Sequence, residues 1–348
     1  MIIVLQSGST DEQIAEVEGK VRELGYVPHT IRGEVRTVVA AVGDEVTHSS
    51  LEPLSHLPMV DRVLPVQKKY KLISRETQPE TAVVRVGGVE FGSGQFQVIA
   101  GPCSVEGEEM LIDTARAVRD AGATILRGGA FKPRTSPYSF QGLGQQGLAY
   151  LDKAKEVTGL PVVTELVSVA DIDAVCRTAD MIQIGARNAL NYALLEAAAD
   201  TGKPILLKRG MSATVEEWLL AAEYIAKRGN GNVILCERGI RTYETATRNT
   251  LDLGAVCVAK RESRLPVIVD PSHGAGRWDL IEPLSRAAAA IGADGIIVEV
   301  HPNPAVALSD GDQQIEFDTF ARLMKELRPF VEAAGMELAG AGNVAAAT

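Results

Sequence analysis

Polar and ionisable side chains follow a series of short apolar segments between residues 98 and 301. Each apolar segment has three or four residues. The side chains at or just after the segment ends include Cys103, Arg127, Glu165, Arg187, Lys208, Glu237, Arg238, Asp270, His273, Glu299 and His301. Side chains at the carboxyl ends of parallel strands meet on one face of a barrel or sheet. The pattern therefore predicts one site that is shared by all of the segments.

Six side chains at these ends and in the loops after them are cationic. They are Arg127, Lys132, Arg134, Arg187, Lys208 and Arg238. Arginine binds phosphate and carboxylate groups through paired hydrogen bonds, so this cluster predicts an anionic substrate with more than one anionic group. Each cation alone would equally suit a solvated position at the start of a helix. Their equivalent positions after the apolar segments favour a common pocket.

A second set combines a thiol, an imidazole and two carboxylates. Its members are Cys103, His273, Glu299 and Asp310. These groups are ligands of divalent transition metals such as Zn²⁺, Fe²⁺ and Mn²⁺. The residues are distant in sequence, but the first, seventh and eighth strands of a closed barrel are neighbours. The alternative for Cys103 is a small buried apolar residue; as a ligand, we expect it to be partly exposed at the barrel mouth and sensitive to oxidation.

The eight apolar segments alternate with helical segments such as 110–120, 214–227 and 280–291. They are apolar throughout, which is typical of parallel strands covered on both faces. This alternation predicts an α/β fold, a (β/α)₈ TIM barrel over residues 83–335 that begins with a β-hairpin at 83–91. A doubly wound open sheet is the alternative, although no G-x-G-x-x-G motif follows the first segment.

Residues 1–70 have the order strand, helix, strand, strand, helix, strand (βαββαβ) of a small ferredoxin-like domain. The strands are predicted at 2–5, 26–31, 36–42 and 60–66, and a short second helix at 50–57. Thr10 and Gln13 form a capping-box pattern before the first helix. Residues 71–82 predict a linker, and residues 336–348 predict a disordered tail. Such a small domain would bind a regulatory ligand or serve only in assembly.

The composition argues against several classes of protein. Of 348 residues, 46% are hydrophobic and 23% are charged, which is ordinary for a soluble globular protein. The 35 Lys and Arg against 45 Asp and Glu give a net charge of −10, which argues against a nucleic-acid partner. No apolar run approaches the ~18 residues of a membrane span. The four cysteines form no C-x-x-C pair, so we expect a cytoplasmic protein without membrane or nucleic-acid partners.

Six segments at the predicted strand ends resemble the 3-deoxy-D-arabino-heptulosonate 7-phosphate (DAHP) synthases. They are 100–104 (AGPCS), 127–137 (RGGAFKPRTSP), 183–188 (QIGARN), 207–210 (LKRG), 236–239 (CERG) and 270–273 (DPSH). The resemblance to the 3-deoxy-manno-octulosonate 8-phosphate synthases is more distant. They typically have Ala-Asn where this chain has Pro133, which favours the seven-carbon product. Residues 1–70 resemble the ferredoxin-like regulatory domain of one branch of the DAHP synthases.

The resemblance implies a metal-dependent condensation of phosphoenolpyruvate with D-erythrose 4-phosphate and water, which gives DAHP and phosphate in the first step of the shikimate pathway. It implies one divalent ion (Mn²⁺, Fe²⁺, Zn²⁺ or Co²⁺) held by Cys103, His273, Glu299 and Asp310. The residues that it implies for substrate binding are Arg127, Lys132, Arg134, Thr135, Ala186, Arg187, Lys208 and Arg238. It also implies a homo-tetramer with feedback inhibition by Tyr or Phe.

This reaction needs groups that move protons, because a new alkoxide must be protonated and the attacking water must lose a proton. The candidates by position are Lys132, Glu165, His273 and Asp270, or a water molecule bound to the metal. Two other functions stay open at this point. Lys208 would serve a Schiff-base aldolase if its pKa were depressed. A non-catalytic sensor of a sugar phosphate would explain the cations, but it would not explain the Cys, His, Glu and Asp set.

Overall fold

The computed structural model describes residues 1–33, 35–43, 50–64, 69–133 and 136–340. The chain divides into two units. The first unit contains the described residues up to Glu80 together with Glu262–Arg264, and the second unit contains the other described residues. None of the helices in these ranges is long and apolar enough to cross a lipid bilayer.

Four antiparallel strands form the sheet of the first unit, in the order β2-β3-β1-β4. The elements are β1 (Ile2–Leu5), α1 (Asp11–Glu23), β2 (Val27–Arg32), β3 (Thr37–Val42) and β4 (Val60–Leu64). This arrangement confirms the predicted ferredoxin-like fold. Helix α1 covers one face of the sheet, because its apolar residues recur at helical spacing and are buried with the apolar side chains of the strands.

Helix α1 begins with the predicted capping box. The Thr10 side chain accepts a hydrogen bond from the Gln13 backbone N at 3.4 Å, and the Gln13 side chain accepts one from the Thr10 backbone N at 2.9 Å. Two backbone donors that the first turn of a helix leaves unpaired are therefore satisfied. Local sequence alone fixes this end of the helix.

The second helix of the first unit is shorter than predicted. Within 50–57, a 3₁₀ helix spans Glu52–His56, and Leu57 is extended with a φ of −72° and a ψ of 134°. Pro58 follows Leu57, and a residue before proline avoids the α conformation, which explains the early end. The predicted strand at 60–66 is present as far as Leu64, and residues 65–68 lie outside the described residues.

Eight parallel strands form a closed barrel in the second unit, which confirms the TIM barrel and rules out the open sheet. The ring closes where β14 pairs with β7, from Gly295 opposite Gln97 to Glu299 opposite Gly101. The eight strands are β7 (Gln95–Gly101), β8 (Ile125–Arg127), β9 (Val162–Glu165), β10 (Met181–Ile184), β11 (Ile205–Lys208), β12 (Val233–Glu237), β13 (Val267–Val269) and β14 (Gly295–Glu299).

Helices follow the barrel strands and cover the outside of the ring. They are α2 (Glu108–Asp120), α3 (Gln145–Thr158), α4 (Ile172–Thr178), α5 (Tyr192–Asp200), α6 (Val215–Lys227), α7 (Leu253–Glu262), α9 (Ile281–Ala290) and α10 (Phe317–Ala333). An additional helix of five residues, α8 (Pro271–Ala275), lies directly after β13. This short helix carries His273 to the carboxyl end of the barrel.

The predicted β-hairpin precedes the barrel as β5 (Val84–Val86) and β6 (Val89–Phe91). Gln97, at the start of the first barrel strand, donates a side-chain hydrogen bond to the backbone oxygen of Glu90 at 2.9 Å. The apolar side chains of the hairpin are buried in one core with the side chains inside the barrel. The hairpin therefore covers the amino-terminal end of the barrel, and the opposite end is left for the site.

Two predicted boundaries differ from the structure. The disordered tail was predicted to start at residue 336, but β15 (Glu337–Leu338) pairs with the beginning of β7, and Ala339 is buried. The tail prediction is wrong there because β7 begins before its neighbouring strands and leaves backbone groups that β15 pairs with. Residues 341–348 lie outside the described residues. Within the predicted linker 71–82, Ile73 and Ser74 are buried, and the first unit extends to Glu80.

Candidate active site

A cavity of about 260 Å³ lies at the carboxyl ends of the barrel strands. Seven of its lining side chains are cationic, and they are Arg127, Lys132, Arg187, Lys208, Arg238, Arg241 and Arg248. Ala186, Glu165, His273 and Asp310 line the same cavity. The structure thus brings together residues that the sequence placed at the ends of different strands.

Strand ends and close backbone approaches place these side chains. Arg127, Glu165 and Lys208 are the last residues of β8, β9 and β11. A Cβ atom on Gly185 would lie 1.9 Å from Oε1 of Glu165. Only glycine at position 185 leaves room for the Glu165 carboxylate where it enters the cavity.

The four predicted metal ligands form two contacting pairs. Cys103 Sγ lies 3.4 Å from Asp310 Oδ2, and His273 Nε2 lies 3.6 Å from Glu299 Oε1. Both separations suit two ligands of one tetrahedral ion, which are about 3.5 Å apart. Asp310 has a φ of 49°, the only positive value among the described residues other than glycine. Such backbone conformations cost energy and cluster at functional sites.

The chemistry of these donors fits a divalent transition metal. Glu299 Oε1 is buried and has no hydrogen-bond partner; Arg127 Nη2 lies 2.9 Å from it, but at ion-pair distance without hydrogen-bond geometry. Burial lowers the pKa of His273 to about 4, so the imidazole is neutral at pH 7, which is the form that ligates metals. Over the described ranges, no three His, Cys, Asp or Glu side chains already surround one common point.

Cys103 is fully buried, so the expectation of partial exposure at the barrel mouth is wrong. Its Sγ contacts Ser309 Oγ at 2.9 Å and Lys132 Nζ at 3.2 Å. Burial raises the pKa of the Cys103 thiol to about 12, and the nearby Glu299 carboxylate adds to this. Long loops after β8 and β14 cover the sulfur, and the sequence alone does not show how such loops fold. Exposure therefore gives no reason to expect easy oxidation of Cys103.

Asp270 connects two of the predicted site residues. Its carboxylate contacts Lys208 Nζ, and its Oδ2 lies 2.8 Å from His273 Nδ1, without hydrogen-bond geometry. Its Oδ1 accepts a hydrogen bond from the backbone N of His273 at 2.9 Å and so caps α8. Although burial opposes ionisation, the contacts with His273 and Lys208 hold the pKa of Asp270 well below its ordinary value. Asp270 is fully buried and is not among the residues that line the cavity; its side chain contacts Lys208 and His273.

Arg238 is buried, whereas Arg187 and Arg241, which line the same cavity, are exposed. Arg238 is 4% exposed, and its described hydrogen bond goes to the backbone oxygen of Gly239 at 3.2 Å. Burial lowers the pKa of Arg238. In the part of the chain that the structure describes, neither Arg187 nor Arg238 has an acidic side chain at ion-pair distance. A buried guanidinium without a carboxylate is costly unless an anion neutralises it, so this part of the cavity fits an anionic ligand.

The sequence analysis did not identify Arg241 and Arg248. Both lie in the loop between β12 and α7, and both line the cavity. The only signal for them was their occurrence in a loop on the carboxyl side of a barrel strand, where active-site residues lie. The predicted substrate-binding residues Arg134 and Thr135 lie outside the described residues.

Comparisons with known proteins identify the family of this chain. The model of the DAHP synthetase I family matches residues 71–333, and the model of the DAHP synthase ferredoxin-like domain matches residues 1–68. A phospho-2-dehydro-3-deoxyheptonate aldolase from Thermotoga maritima is 52% identical over 338 residues, covering 97% of this chain and 100% of the relative. A 2-dehydro-3-deoxyphosphooctonate aldolase from Syntrophotalea carbinolica is 32% identical over 268 residues, covering 72% and 95%.

Solved structures give the same result. The crystal structure of the Thermotoga maritima DAHP synthase has a TM-score of 0.78 and 52% identity, covering 97% of this chain and 98% of that chain. A truncated form of the synthase from the same organism has a TM-score of 0.72 and 53% identity, covering 77% of this chain and 98% of that chain. At 52–53% identity, these two structures resemble this chain in sequence as well as in fold.

A TIM barrel with a cavity lined by seven cations at the carboxyl ends of its strands defines a barrel enzyme for anionic substrates. The chain belongs to the DAHP synthetase I family and carries the DAHP synthase ferredoxin-like domain in its first part. Its activity is that of a DAHP synthase, a transferase of the first step of the shikimate pathway.

Proposed function

We propose that this chain condenses phosphoenolpyruvate with D-erythrose 4-phosphate and water, and that it releases DAHP and phosphate with the help of one divalent metal ion. The observation that carries the proposal is the buried guanidinium of Arg238, which lacks an acidic partner and faces the cavity. Phosphoenolpyruvate has a phosphate and a carboxylate, and the aldose has a second phosphate. These three anionic groups account for an excess of cations in one cavity.

The cations divide according to their partners within the protein. Lys132, Arg187, Arg238 and Arg241 have no acidic side chain at ion-pair distance in the described structure. Of these we assign Arg187 and Arg238 to the phosphate of phosphoenolpyruvate, because the family resemblance implies both as residues that bind this substrate. Lys208 and Arg127 already contact Asp270 and Glu299. They bind the carboxylate of phosphoenolpyruvate, and their own charges are already partly neutralised within the protein. Arg134 and Thr135, with Lys132, receive the phosphate of the aldose, and Ala186 lines the phosphoenolpyruvate subsite. Clamps of this kind hold the two reacting carbons in register.

Cys103, His273, Glu299 and Asp310 would hold the metal ion, and their donor set suits Mn²⁺, Fe²⁺, Zn²⁺ or Co²⁺. When bound, the ion supplies Lewis acidity that polarises the aldehyde of the aldose. Glu299 Oε1, which is buried without a hydrogen bond, and the neutral imidazole of His273 support this assignment. Asp270 orients His273 from behind, as the outer partners of ligating histidines do.

The remaining steps move protons between substrate and protein. A bond forms between C3 of phosphoenolpyruvate and the aldehyde carbon, water adds to C2, and the C2–O bond breaks so that phosphate leaves with the bridging oxygen. Lys132, which lines the cavity and touches the buried thiol, gives a proton to the new alkoxide. Glu165, held in the cavity opposite Gly185, takes a proton from the attacking water. Both roles are general acid–base catalysis.

Three parts of the proposal concern the whole protein. The first unit binds Tyr or Phe and mediates feedback inhibition, which the matched ferredoxin-like domain supports. The chain forms a homo-tetramer, as its family resemblance implies, and it acts in the cytoplasm, which its cysteine usage favours. The seven-carbon product is preferred over the eight-carbon product, which is supported by the higher identity to the heptonate enzyme than to the octonate enzyme.

A phosphate-release assay tests the proposal. The purified chain is mixed with phosphoenolpyruvate and either erythrose 4-phosphate or arabinose 5-phosphate, and each substrate is also tested alone. We expect phosphate only when both substrates are present, with a kcat/KM at least about tenfold higher for erythrose 4-phosphate. Equal rates for the two aldoses would reject the specificity, and no phosphate with either pair would reject the proposed reaction.

A further inference from the structure

Arg248 and Gln313 link the two carboxylates of the candidate metal site. Arg248 Nη1 donates a hydrogen bond to Gln313 Oε1 at 2.6 Å and lies 3.3 Å from Asp310 Oδ1. Gln313 Nε2 donates a hydrogen bond to Glu299 Oε2 at 2.6 Å. We call this pair, Arg248 and Gln313, the carboxylate brace.

Each carboxylate uses one oxygen for the brace and turns the other oxygen toward the remaining donors. For Asp310, Oδ1 faces Arg248, while Oδ2 lies 3.4 Å from Cys103 Sγ. For Glu299, Oε2 accepts from Gln313, while Oε1 lies 3.6 Å from His273 Nε2 and has no hydrogen-bond partner. Arg127 Nη2 also lies 2.9 Å from Glu299 Oε1. The brace therefore helps to set which oxygen of each carboxylate faces the thiol and the imidazole.

The surrounding backbone fixes the backbone and Cβ of Arg248, whose side chain is 38% exposed. The backbone N of Arg248 donates to the oxygen of Ala275, at the end of the helix that carries His273, at 2.9 Å. A Cβ atom on Gly276 would lie 2.3 Å from Cβ of Arg248, and Gly276 has a φ of +67°. Gln313 is 2% exposed. The arginine is thus packed against a glycine whose backbone conformation other residues rarely adopt.

We propose that Arg248 is a positioning residue, which orients Asp310 directly and Glu299 through Gln313 for metal binding. The inference rests on the metal dependence of the proposed function. Outer partners that orient ligand oxygens typically change metal affinity or activity by about 10–100-fold when they are removed. Loss of the brace leaves all four ligands in the chain but frees the orientation of two of them, so the metal binds more weakly.

Charge and orientation predict opposite effects for the substitution Arg248→Gln. It removes a positive charge from the surroundings of a cation, so electrostatics alone would tighten metal binding. Loss of orientation weakens it. Arg241→Gln is the matched control, because Arg241 lies in the same loop, lines the same cavity and has the same charge. Within the described residues, the Arg241 side chain contacts neither Glu299 nor Asp310.

The test is a titration of the metal-free full chain with Co²⁺, followed by the absorption band of a cobalt–thiolate bond. We expect the Kd for Co²⁺ to rise about tenfold in Arg248→Gln and in Gln313→Met. Arg241→Gln should bind Co²⁺ as tightly as the parent or more tightly, and Arg248→Lys should fall between Arg248→Gln and the parent. A Kd for Arg248→Gln equal to or below that of the parent would overturn the inference. If Arg248→Gln does not fold, Gln313→Met decides by the same criterion.

The double variant Arg248→Gln/Gln313→Met gives an independent check, since partners in one network are not additive. We expect the Kd of the double variant for Co²⁺ to be close to that of the single variant that binds Co²⁺ more weakly. Fully additive losses would show that the two residues act separately, and they would reject the brace. If the parent chain itself shows no cobalt–thiolate band, the proposed metal site fails and the inference fails with it. If the parent shows the cobalt–thiolate band and the variants bind Co²⁺ as tightly as the parent, only the inference about the brace is rejected, and the proposed metal site stands.

Discussion

The ammonium nitrogen of Lys132 lies 3.2 Å from the sulfur of Cys103 and donates a hydrogen bond to the backbone oxygen of the same residue at 3.1 Å. Lys132 also lines the cavity, whereas Cys103 is buried beneath it. A cation of the set that suits phosphate groups therefore touches one of the candidate metal ligands. A substrate that binds the cations lies directly beside the candidate metal ligands.

Cys103→Ala should abolish metal binding and lower kcat/KM by at least about 100-fold, because the thiol is the softest of the four candidate ligands. Cys236→Ala is the matched control. Cys236 is also fully buried, but it lies in the apolar core of the barrel. We expect this control to keep its metal content and activity, with a loss of stability of about 1 kcal/mol. Metal analysis and initial rates measure both variants; an active, metal-replete Cys103→Ala would exclude Cys103 as a ligand.

Arg238→Ala should raise the KM for phosphoenolpyruvate by about 30-fold or more, which corresponds to the loss of a buried charged contact. Its free energy of unfolding should stay equal or increase, since the buried guanidinium has no acidic partner within the described residues. Steady-state kinetics and thermal unfolding of the same preparations test both statements. An unchanged KM and kcat would remove Arg238 from the phosphate site.

The contrasting variant is Arg209→Ala. Arg209 is equally buried, but its Nη1 lies 3.0 Å from both Glu237 Oε2 and Asp252 Oδ2. Removing it leaves a buried carboxylate without its partner, so the free energy of unfolding should fall by about 3 kcal/mol. Chemical denaturation measures the difference. Equal stability of Arg209→Ala and the parent would show that this ion pair does not stabilise the fold.

Deletion of residues 1–70 should leave an active enzyme that Tyr and Phe no longer inhibit. The barrel has its own core of buried residues, and a truncated form of the Thermotoga maritima synthase has been solved. Initial rates of the intact and the shortened chain, with and without millimolar Tyr or Phe, measure the effect. If neither amino acid inhibits the intact chain, or if both still inhibit the shortened chain, the regulatory role of the first unit is wrong.

The barrel and most of the site could be predicted because both follow from short-range patterns. Apolar segments that end in polar residues mark barrel strands, and the last residue of such a strand faces the site, as Lys208 does. The same pattern does not separate Lys208 from Arg209, whose side chain pairs with acids outside the cavity lining. Only the direction of each side chain after the strand distinguishes them.

The remaining features depend on loops. Arg248 and Gln313 lie in loops without periodicity, and their hydrogen bonds join residues far apart in the sequence. The burial of Cys103 has the same origin, since Ser309 and Lys132 cover its sulfur from two different loops. No local rule of composition or spacing predicts such contacts.

The most direct test of the account is phosphate release from phosphoenolpyruvate and erythrose 4-phosphate by the full chain before and after removal of metal with a chelator. We expect activity to disappear with the metal and to return when Mn²⁺ or another divalent transition metal is added back. The Cys103→Ala variant should show no such recovery. Full activity in a preparation shown by metal analysis to be metal-free would contradict the account.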